Sequence, residues 1–365
     1  MKVPYVDFQA QYAAERRPLL RALDRVLAGG EYILGREVAS FEAELARLCG
    51  TRHAVGVANG TDALLLTLKA LAIGPGDEVV TVPNSFVASA SCIALAGAKP
   101  VFVDVGPDGL LDPQLLEGAL SRRTRAVIPV HLTGKVCDMA PILRLARARG
   151  IPVIEDAAQA VGARHHGRPA GSFGRAACLS FHPLKNLNAA GDAGAVVTDD
   201  GRLAEKLRLW RNHGLKSRDE VLFWGHNSRL DGLQAAVLRC RLKALPGIIA
   251  RRRRNADFYR QGLAGIVDLP PEDRDSRQTY HLFMVQCPRR DELKACLARQ
   301  GVATAVHYPT PLHLQPCCRG LGWRRGDFPQ AERQARRILS LPVHQHLSAA
   351  QVAHVIRCVR RFHGR

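Results

Sequence analysis

The chain is short of aromatic residues, of acidic residues and of paired cysteines, and each shortage closes off a class of function. Phe, Trp and Tyr make up 5% of the 365 residues, too few for an aromatic-studded groove along a nucleic-acid strand. Asp and Glu number 33 against 52 Lys and Arg, a formal charge of +19. That surplus favours an anionic partner, either nucleic acid or a phosphorylated metabolite. It also fits Arg-rich solvated helix faces, being spread over the chain and denser only at Arg251–Arg254. No helix-turn-helix signature accompanies it. A basic nucleic-acid-binding protein is therefore kept only as the alternative from a different class, and no nucleic-acid partner is expected. The ten cysteines contain no CxxC pair. A disulfide framework belongs to small secreted domains, and zinc needs clustered ligands that the adjacent Cys317 and Cys318 do not supply. Reduced thiols and no metal are expected.

No leader is expected, because the opening residues Met1 to Asp7 hold no apolar signal region. Val79 to Ala98 is uncharged and long enough to span a bilayer. It contains Thr81, Pro83, Asn84, Ser85, Ser89 and Ser91, so a strand, a turn and a helix explain it better. A soluble cytoplasmic protein without membrane contact is the expectation. Apolar residues at 47% and charged residues at 23% give an ordinary globular balance, and the length suits two or three domains.

What is present is an alternation. His53–Val57, Glu78–Val82, Pro100–Val105, Ala126–Val130, Pro152–Glu155, Ala177–Phe181 and Ala195–Thr198 read as buried strands. Ala63–Leu71, Pro113–Leu120 and Pro141–Arg149 read as amphipathic helices between them. This spacing predicts an α/β fold whose mostly parallel central sheet is covered by helices on both faces, with ligands beyond the carboxyl ends of the strands. Gly201–Arg211 and Leu230–Leu245 read as longer helices, the second ended by Pro246-Gly247. Helices at Arg251–Leu263, Asp291–Arg299, Gln330–Leu339 and Ser348–Phe362, with strands at Tyr280–Gln286 and Ala303–His307, predict a smaller C-terminal α+β domain. The expected division is a large domain over 1–245 and a small one over 246–365, with an N-terminal helix available to pack on the small one.

Three constellations sit at strand ends. In Ala58-Asn-Gly-Thr-Asp-Ala63, Gly60 permits close backbone approach and Thr61 opens a helix whose free N–H groups suit a phosphate; an ordinary Thr/Asp cap reads equally well. In Pro152-Val-Ile-Glu-Asp-Ala-Ala-Gln159, the buried Asp156 needs a positive partner: a metal, a lysine or a protonated heterocycle, unless it caps the next turn. In Leu179-Ser-Phe-His-Pro-Leu-Lys-Asn-Leu187, burial would lower the pKa of Lys185 and make it a nucleophile, with Ser180 offering a hydroxyl to an anion. A phosphate cradle, a carboxylate and a lysine on one sheet edge together make a site for pyridoxal phosphate.

These residues resemble the sugar aminotransferases of the DegT/DnrJ/EryC1/StrS family, almost end to end. The resemblance rests on Gly30-Glu-Tyr-Ile-Leu-Gly35 with Phe41-Glu42, Gly60-Thr-Asp-Ala-Leu64, Gly74-Pro-Gly-Asp-Glu-Val79, Glu155-Asp-Ala-Ala-Gln159, Ser180-Phe181, Lys185-Asn186-Leu187 with Gly191-Asp192, Asn227-Ser-Arg-Leu-Asp231, Gln234-Ala-Ala236 and His307-Tyr-Pro-Thr-Pro-Leu-His313. It implies the aspartate-aminotransferase-like architecture (fold type I), with pyridoxal 5'-phosphate as cofactor. Lys185 matches the lysine that carries the cofactor, Asp156 the partner of its ring nitrogen, and Gln159 the amide near its phenolic oxygen. Gly60, Thr61 and Ser180 match phosphate ligands, and Phe86 the aromatic that stacks on the ring. Asn227 matches a residue reaching the neighbouring subunit's phosphate, which implies a homodimer with shared sites. Arg229 is a candidate for the donor's carboxylates, and His313 lies in a loop that faces the sugar in similar enzymes.

The implied reaction moves an amino group from L-glutamate, or L-glutamine, to a nucleotide-linked keto-sugar. Cyclitol amination is one alternative within the family. Dehydration of the sugar is another, but those similar enzymes carry histidine in place of the lysine. Asn188 and Ala193 depart from relatives that hold glycine there, adding side chains beside the lysine loop.

Overall fold

The computed structural model describes residues 1–271 and 273–364. Two helices, α1 (Phe8–Gly29) and α2 (Arg36–Cys49), precede β1 (His53–Val57). Then come α3 (Gly60–Ala70), β2 (Glu78–Thr81), α4 (Ala88–Leu95), β3 (Lys99–Phe102), α5 (Pro113–Ala119), β4 (Thr124–Val127), α6 (Met139–Ala148) and β5 (Ile154–Asp156). A small hairpin, β6 (Arg164–His165) and β7 (Arg168–Pro169), leads to β8 (Ala176–Ser180) and β9 (Gly194–Thr198). The rest is α7 (Gly201–Trp210), α8 (Gly232–Leu263), β10 (Ser276–Arg277) on the edge of that hairpin, β11 (Phe283–Gln286), α9 (Arg290–Arg299), α10 (Pro329–Arg337), β12 (Ile338–Leu341) and α11 (Ala349–Phe362).

The strands run in the order β3-β2-β4, then β5-β8-β9-β1, joined by single parallel bridges from Val127 to Val153 and from Val130 to Asp156. β9 alone opposes its neighbours; the other paired strands of this sheet are parallel. Every residue of β2, β8 and β9 is buried, which is why these strands read as unbroken apolar runs. The carboxyl ends of β2, β5 and β8 therefore share one edge. Because β9 runs backwards, its first residue Gly194 pairs with both Ser180 and Val57 at that edge.

Several expected elements differ. Pro246 does not end a helix: α8 runs through it for 32 residues. A proline in a helix interior costs about 3 kcal/mol. Burial of Leu245, Ile248 and Ile249 beside it offsets that, each fully buried aliphatic side chain being worth about 1.5–3 kcal/mol. The Gln330–Leu339 helix stops at Arg337, where Ile338–Leu341 turns into a strand paired with β11. Ala303–His307 forms a single bridge, Ala305 to Ser340, rather than a strand.

A separate apolar cluster gathers Ala256, Tyr259, Phe283, Leu293, Leu339 and Val355 with Val3. The extreme N-terminus thus packs with the C-terminal elements, whereas α1 itself lays Ala22 and Val26 against Ala236 in the first half of α8. We propose that the N-terminal helix packs on the large unit, with only the residues before it reaching the small one. We propose that the boundary between the two units lies inside α8, not at a break after residue 245.

Candidate active site

Asp156 ends β5 and is buried. Its Oδ2 accepts a 2.7 Å hydrogen bond from the Ser89 hydroxyl, which is itself 2.7 Å from Ser85 Oγ; Oδ1 accepts from the Ala158 N–H at 3.2 Å. Next to it in sequence, Glu155 accepts three loop N–H bonds at 2.8 Å, from Gly171, Phe173 and Gly174, and faces His131 Nε2 at 2.9 Å. Glu155 is thereby spent on structure, and it locks the strand that presents Asp156 to the edge. Asp156 keeps no cation of its own there: among the described residues it forms no salt bridge.

Lys185 is partly buried in the loop after β8. Burial lowers its pKa to about 8, and the charge of Asp156 opposes that shift. The loop is tied down on both sides. Asn186 Nδ2 donates to Thr279 O at 3.0 Å, and Asn188 Nδ2 donates to Pro183 O at 2.6 Å while contacting Gln11 of α1. Arg241 of α8 donates to the carbonyls of Asn188 and Ala189 and pairs with Glu15. Asn188 is therefore a buried brace between the lysine loop and α1. Ala193 is buried too, with its carbonyl accepting from the Phe181 N–H at 2.8 Å.

The candidate anion cradle lies where α3, which follows β1, meets the end of β8 across the start of β9. Asn59, not Thr61, caps α3: its Oδ1 accepts from the Asp62 N–H at 2.8 Å. The ordinary-cap reading of Thr61 is thus corrected, and we propose that its hydroxyl, with the first-turn N–H groups of Gly60 and Thr61, serves a ligand. A Cβ on Gly60 would stand 2.6 Å from the Ser180 Cβ and 3.1 Å from its Oγ, so only glycine brings the helix end this close to that hydroxyl. Gly60→Ala is expected to cut the affinity for the phosphate end of a ligand by about tenfold or more, on the scale of one charge-assisted hydrogen bond. Titrating the cofactor-free protein with pyridoxal phosphate checks this.

Other expected residues fall into two groups. Gln159 is buried, accepts the Thr133 N–H at 2.8 Å, and lies close to the Tyr308 phenol. Burial, reinforced by the charge of Asp156, raises the pKa of Tyr308. Phe86 is exposed in the turn after β2, with its ring 6.2 Å from that of Tyr308. These stand with Lys185 and Asp156. Asn227 is exposed in a turn whose neighbour Trp224 is 92% exposed, and Arg229 donates to Asn212 Oδ1 at 3.3 Å. Among the described residues, His313 makes no contact with the group around Lys185. Its buried ring sits 4.7 Å from Phe328 and 3.0 Å from Glu332 Oε1. Sequence reasoning gave no role to Ser89, Tyr308 or Asn59; of these, only Asn59 carried a local signal, as an Asn one residue before the helix.

Among the described residues no group of three His, Cys, Asp or Glu could hold a metal ion, all ten cysteines are free thiols, and no helix is long and apolar enough to cross a membrane. Asp156 without a cation partner, a lysine of lowered pKa and a Gly60–Ser180 approach that a Cβ would fill together suit a flat, protonated ring carrying a phosphate. The fold and this arrangement define a fold type I pyridoxal-phosphate enzyme.

The DegT/DnrJ/EryC1/StrS aminotransferase family model matches residues 14–360. The chain is 46% identical to the dTDP-3-amino-3,4,6-trideoxy-alpha-D-glucose transaminase of Streptomyces venezuelae, over 99% of this chain and 96% of that protein. It is 42% identical to the UDP-N-acetyl-3-dehydro-alpha-D-glucosamine 3-aminotransferase of Acidithiobacillus ferrooxidans, over 99% and 98%. The crystal structure of S. venezuelae DesV superposes with a TM-score of 0.97 at 46% identity, covering 100% of this chain and 99% of that one. The chain belongs to the DegT/DnrJ/EryC1/StrS aminotransferase family, and it is an aminotransferase that uses pyridoxal phosphate.

Proposed function

We propose that the enzyme moves an amino group from L-glutamate to the C3 keto group of a nucleotide-linked sugar in the cytoplasm. The observation that carries transamination is that Lys185, in the loop after β8, and Asp156, at the end of the adjacent β5, share one sheet edge, since a lysine there can both hold the cofactor and move a proton. The sugar class and the C3 position are carried by the two relatives, both named for amination at that carbon of a nucleotide sugar. Lys185 also argues against sugar dehydration, which similar enzymes perform with histidine at this place.

In this reading each residue has one task. Gly60 and Thr61 N–H groups and the Ser180 hydroxyl bind the phosphate. Asp156, steadied by Ser89, holds a proton on the ring nitrogen. Gln159 meets the phenolic oxygen, and Phe86 covers the ring face. When bound, the cofactor supplies an electron sink. Freed from the cofactor, the Lys185 amine would take the proton from the amino acid's Cα as a base and, as the conjugate acid, give it back to the carbon two bonds away, on the other side of the nitrogen being transferred. A panel of nucleotide keto-sugars, incubated with the enzyme, pyridoxal phosphate and glutamate, tests the proposal: one sugar should gain an amine by mass, and conversion of none of them would defeat it.

We further propose a homodimer in which Asn227 completes the partner's phosphate site. Its exposure in a turn before α8, next to the bare Trp224, supports this, and a two-fold axis makes the exchange reciprocal. Mixing inactive Lys185→Ala with a disruptive Asn227 variant should restore up to about half of a normal dimer's activity, because one intact site forms per mixed dimer. No rescue would place the whole site within one chain.

A further inference from the structure

Asn188 stands three residues after Lys185, and its side chain spans the loop that carries the lysine. Two backbone bonds close the base of that loop: the Phe181 N–H donates to Ala193 O at 2.8 Å, and the Ala189 N–H to Phe181 O at 2.7 Å. Beyond the base, the Asn188 amide donates to Pro183 O at 2.6 Å. That bond joins the residue two before Lys185 to the residue three after it, so the lysine lies on a closed ring of backbone. His182 and Leu184, on the leading arm, are exposed, and apolar packing therefore does little to fix the tip.

The ring is also anchored from outside. Gln11 and Glu15 lie one turn apart on α1 and so share a face. The Gln11 and Asn188 amides meet at 3.0 and 3.4 Å, and Glu15 accepts from Arg241 Nε at 2.9 and 3.1 Å. Arg241 in turn donates to Asn188 O at 2.8 Å and to Ala189 O at 3.0 Å. Gln11, Asn188 and Arg241 are all buried. A buried amide without partners is costly, whereas a buried polar network whose members are satisfied holds one geometry. Arg241 grips backbone carbonyls, which any residue at 188 and 189 would offer. The Asn188 side chain does what a carbonyl cannot: it joins the two arms of the loop to each other and to α1.

We propose that Asn188 is a positioning residue for the reaction: by cinching the 183–188 ring onto α1, it keeps the Lys185 amine inside the site, at the edge shared with Asp156. The inference rests on Lys185 being the lysine that carries the cofactor, and adds what holds that lysine in place. The property it maintains is burial. A slack ring lets water reach the amine, and hydration favours the charged form, so the lowered pKa of about 8 should depend on a side chain that does not touch the amine.

The test titrates Lys185 in the cofactor-free protein by acetylation across a pH series, read by mass spectrometry of its peptide. The pH of half-maximal labelling reports the amine's protonation and not how easily the reagent enters. In Asn188→Ala that midpoint should rise from about 8 to about 8.5 or higher, toward the unburied value of about 10.4. Asn255→Ala is the control. It removes a bond of the same kind, Nδ2 to His344 O at 3.0 Å, from a buried asparagine of α8 outside the loop. It should lower the melting temperature without moving the Lys185 midpoint. Should Asn188→Ala fail to fold, Gln11→Ala decides in its place: it removes the α1 half of the bridge, and the midpoint should rise again, by a smaller amount. A midpoint that keeps its wild-type value in the folded variant, with only the melting temperature reduced, makes Asn188 ordinary packing and overturns the proposal. An equal rise in Asn255→Ala also overturns it, because the shift would then come from general loosening. The titration uses neither cofactor nor substrate, so its failure leaves the amination reading standing. That reading falls instead if Lys185→Ala keeps normal turnover, whatever the midpoint does.

Discussion

Lys185→Ala is expected to abolish turnover and the visible absorbance of the lysine-bound cofactor, while leaving the phosphate end of pyridoxal phosphate held. In the proposed site the phosphate would be held by the start of α3, after β1, and by Ser180 of β8, so its binding does not depend on this side chain. A variant retaining normal activity would remove Lys185 from the chemistry altogether. The lowered pKa also has a signature in the cofactor-free protein. With a folded value of about 8 against about 10.4 unfolded, the unfolded chain binds more protons between those pH values. The lysine's contribution to stability therefore increases as pH rises through that window and is smallest below pH 8. Melting curves of wild type and Lys185→Met from pH 7 to 10.5 should converge in relative terms toward the alkaline end. A constant offset would mean that Lys185 is ordinarily solvated.

Asp156→Asn keeps the shape of the side chain and leaves an oxygen for the Ser89 hydroxyl. It removes the anion. Turnover should fall by about 10² or more, the scale seen when one preorganised electrostatic partner is lost from a site. A second effect accompanies it: Asp156 is the charge that holds the Lys185 pKa up against burial, so the variant's lysine should titrate below the wild-type value. Rates across a pH series separate the two effects, since a turnover that barely changes at any pH would make the carboxylate structural.

The residues that could be read from sequence are those whose chemistry is written in adjacent positions. Gly60 and Thr61 follow a strand and open a helix, Asp156 ends a buried run, and Lys185 follows another; each pattern is local, and all three reached one sheet edge. What stayed hidden depends on chain separation. Ser89 meets Asp156 across 67 residues, and Asn186 meets Thr279 across 93, distances over which no spacing rule operates. His313 looked available in its loop, but Glu332, 19 residues on, accepts its ring nitrogen inside the core. Pro246 misled for the opposite reason. Its local rule is sound, yet the buried aliphatic face on either side of it outweighs the lost hydrogen bond.

The uninterrupted α8 makes the molecule mechanically one piece. At about 1.5 Å per residue its 32 residues span roughly 48 Å, with Arg241 gripping the lysine loop near one end and Arg252 gripping the 280–281 carbonyls further along. A rotation of the C-terminal elements is thus transmitted as torque on a single rod that holds both walls of the catalytic cleft. Opening the cleft by swinging those elements freely would require bending the rod, and Pro246 is the place with one backbone bond fewer to resist it. The same rod means that a fragment beginning at residue 246 would carry half a helix stripped of the neighbours that bury it, so the C-terminal portion should neither fold nor melt as an autonomous body.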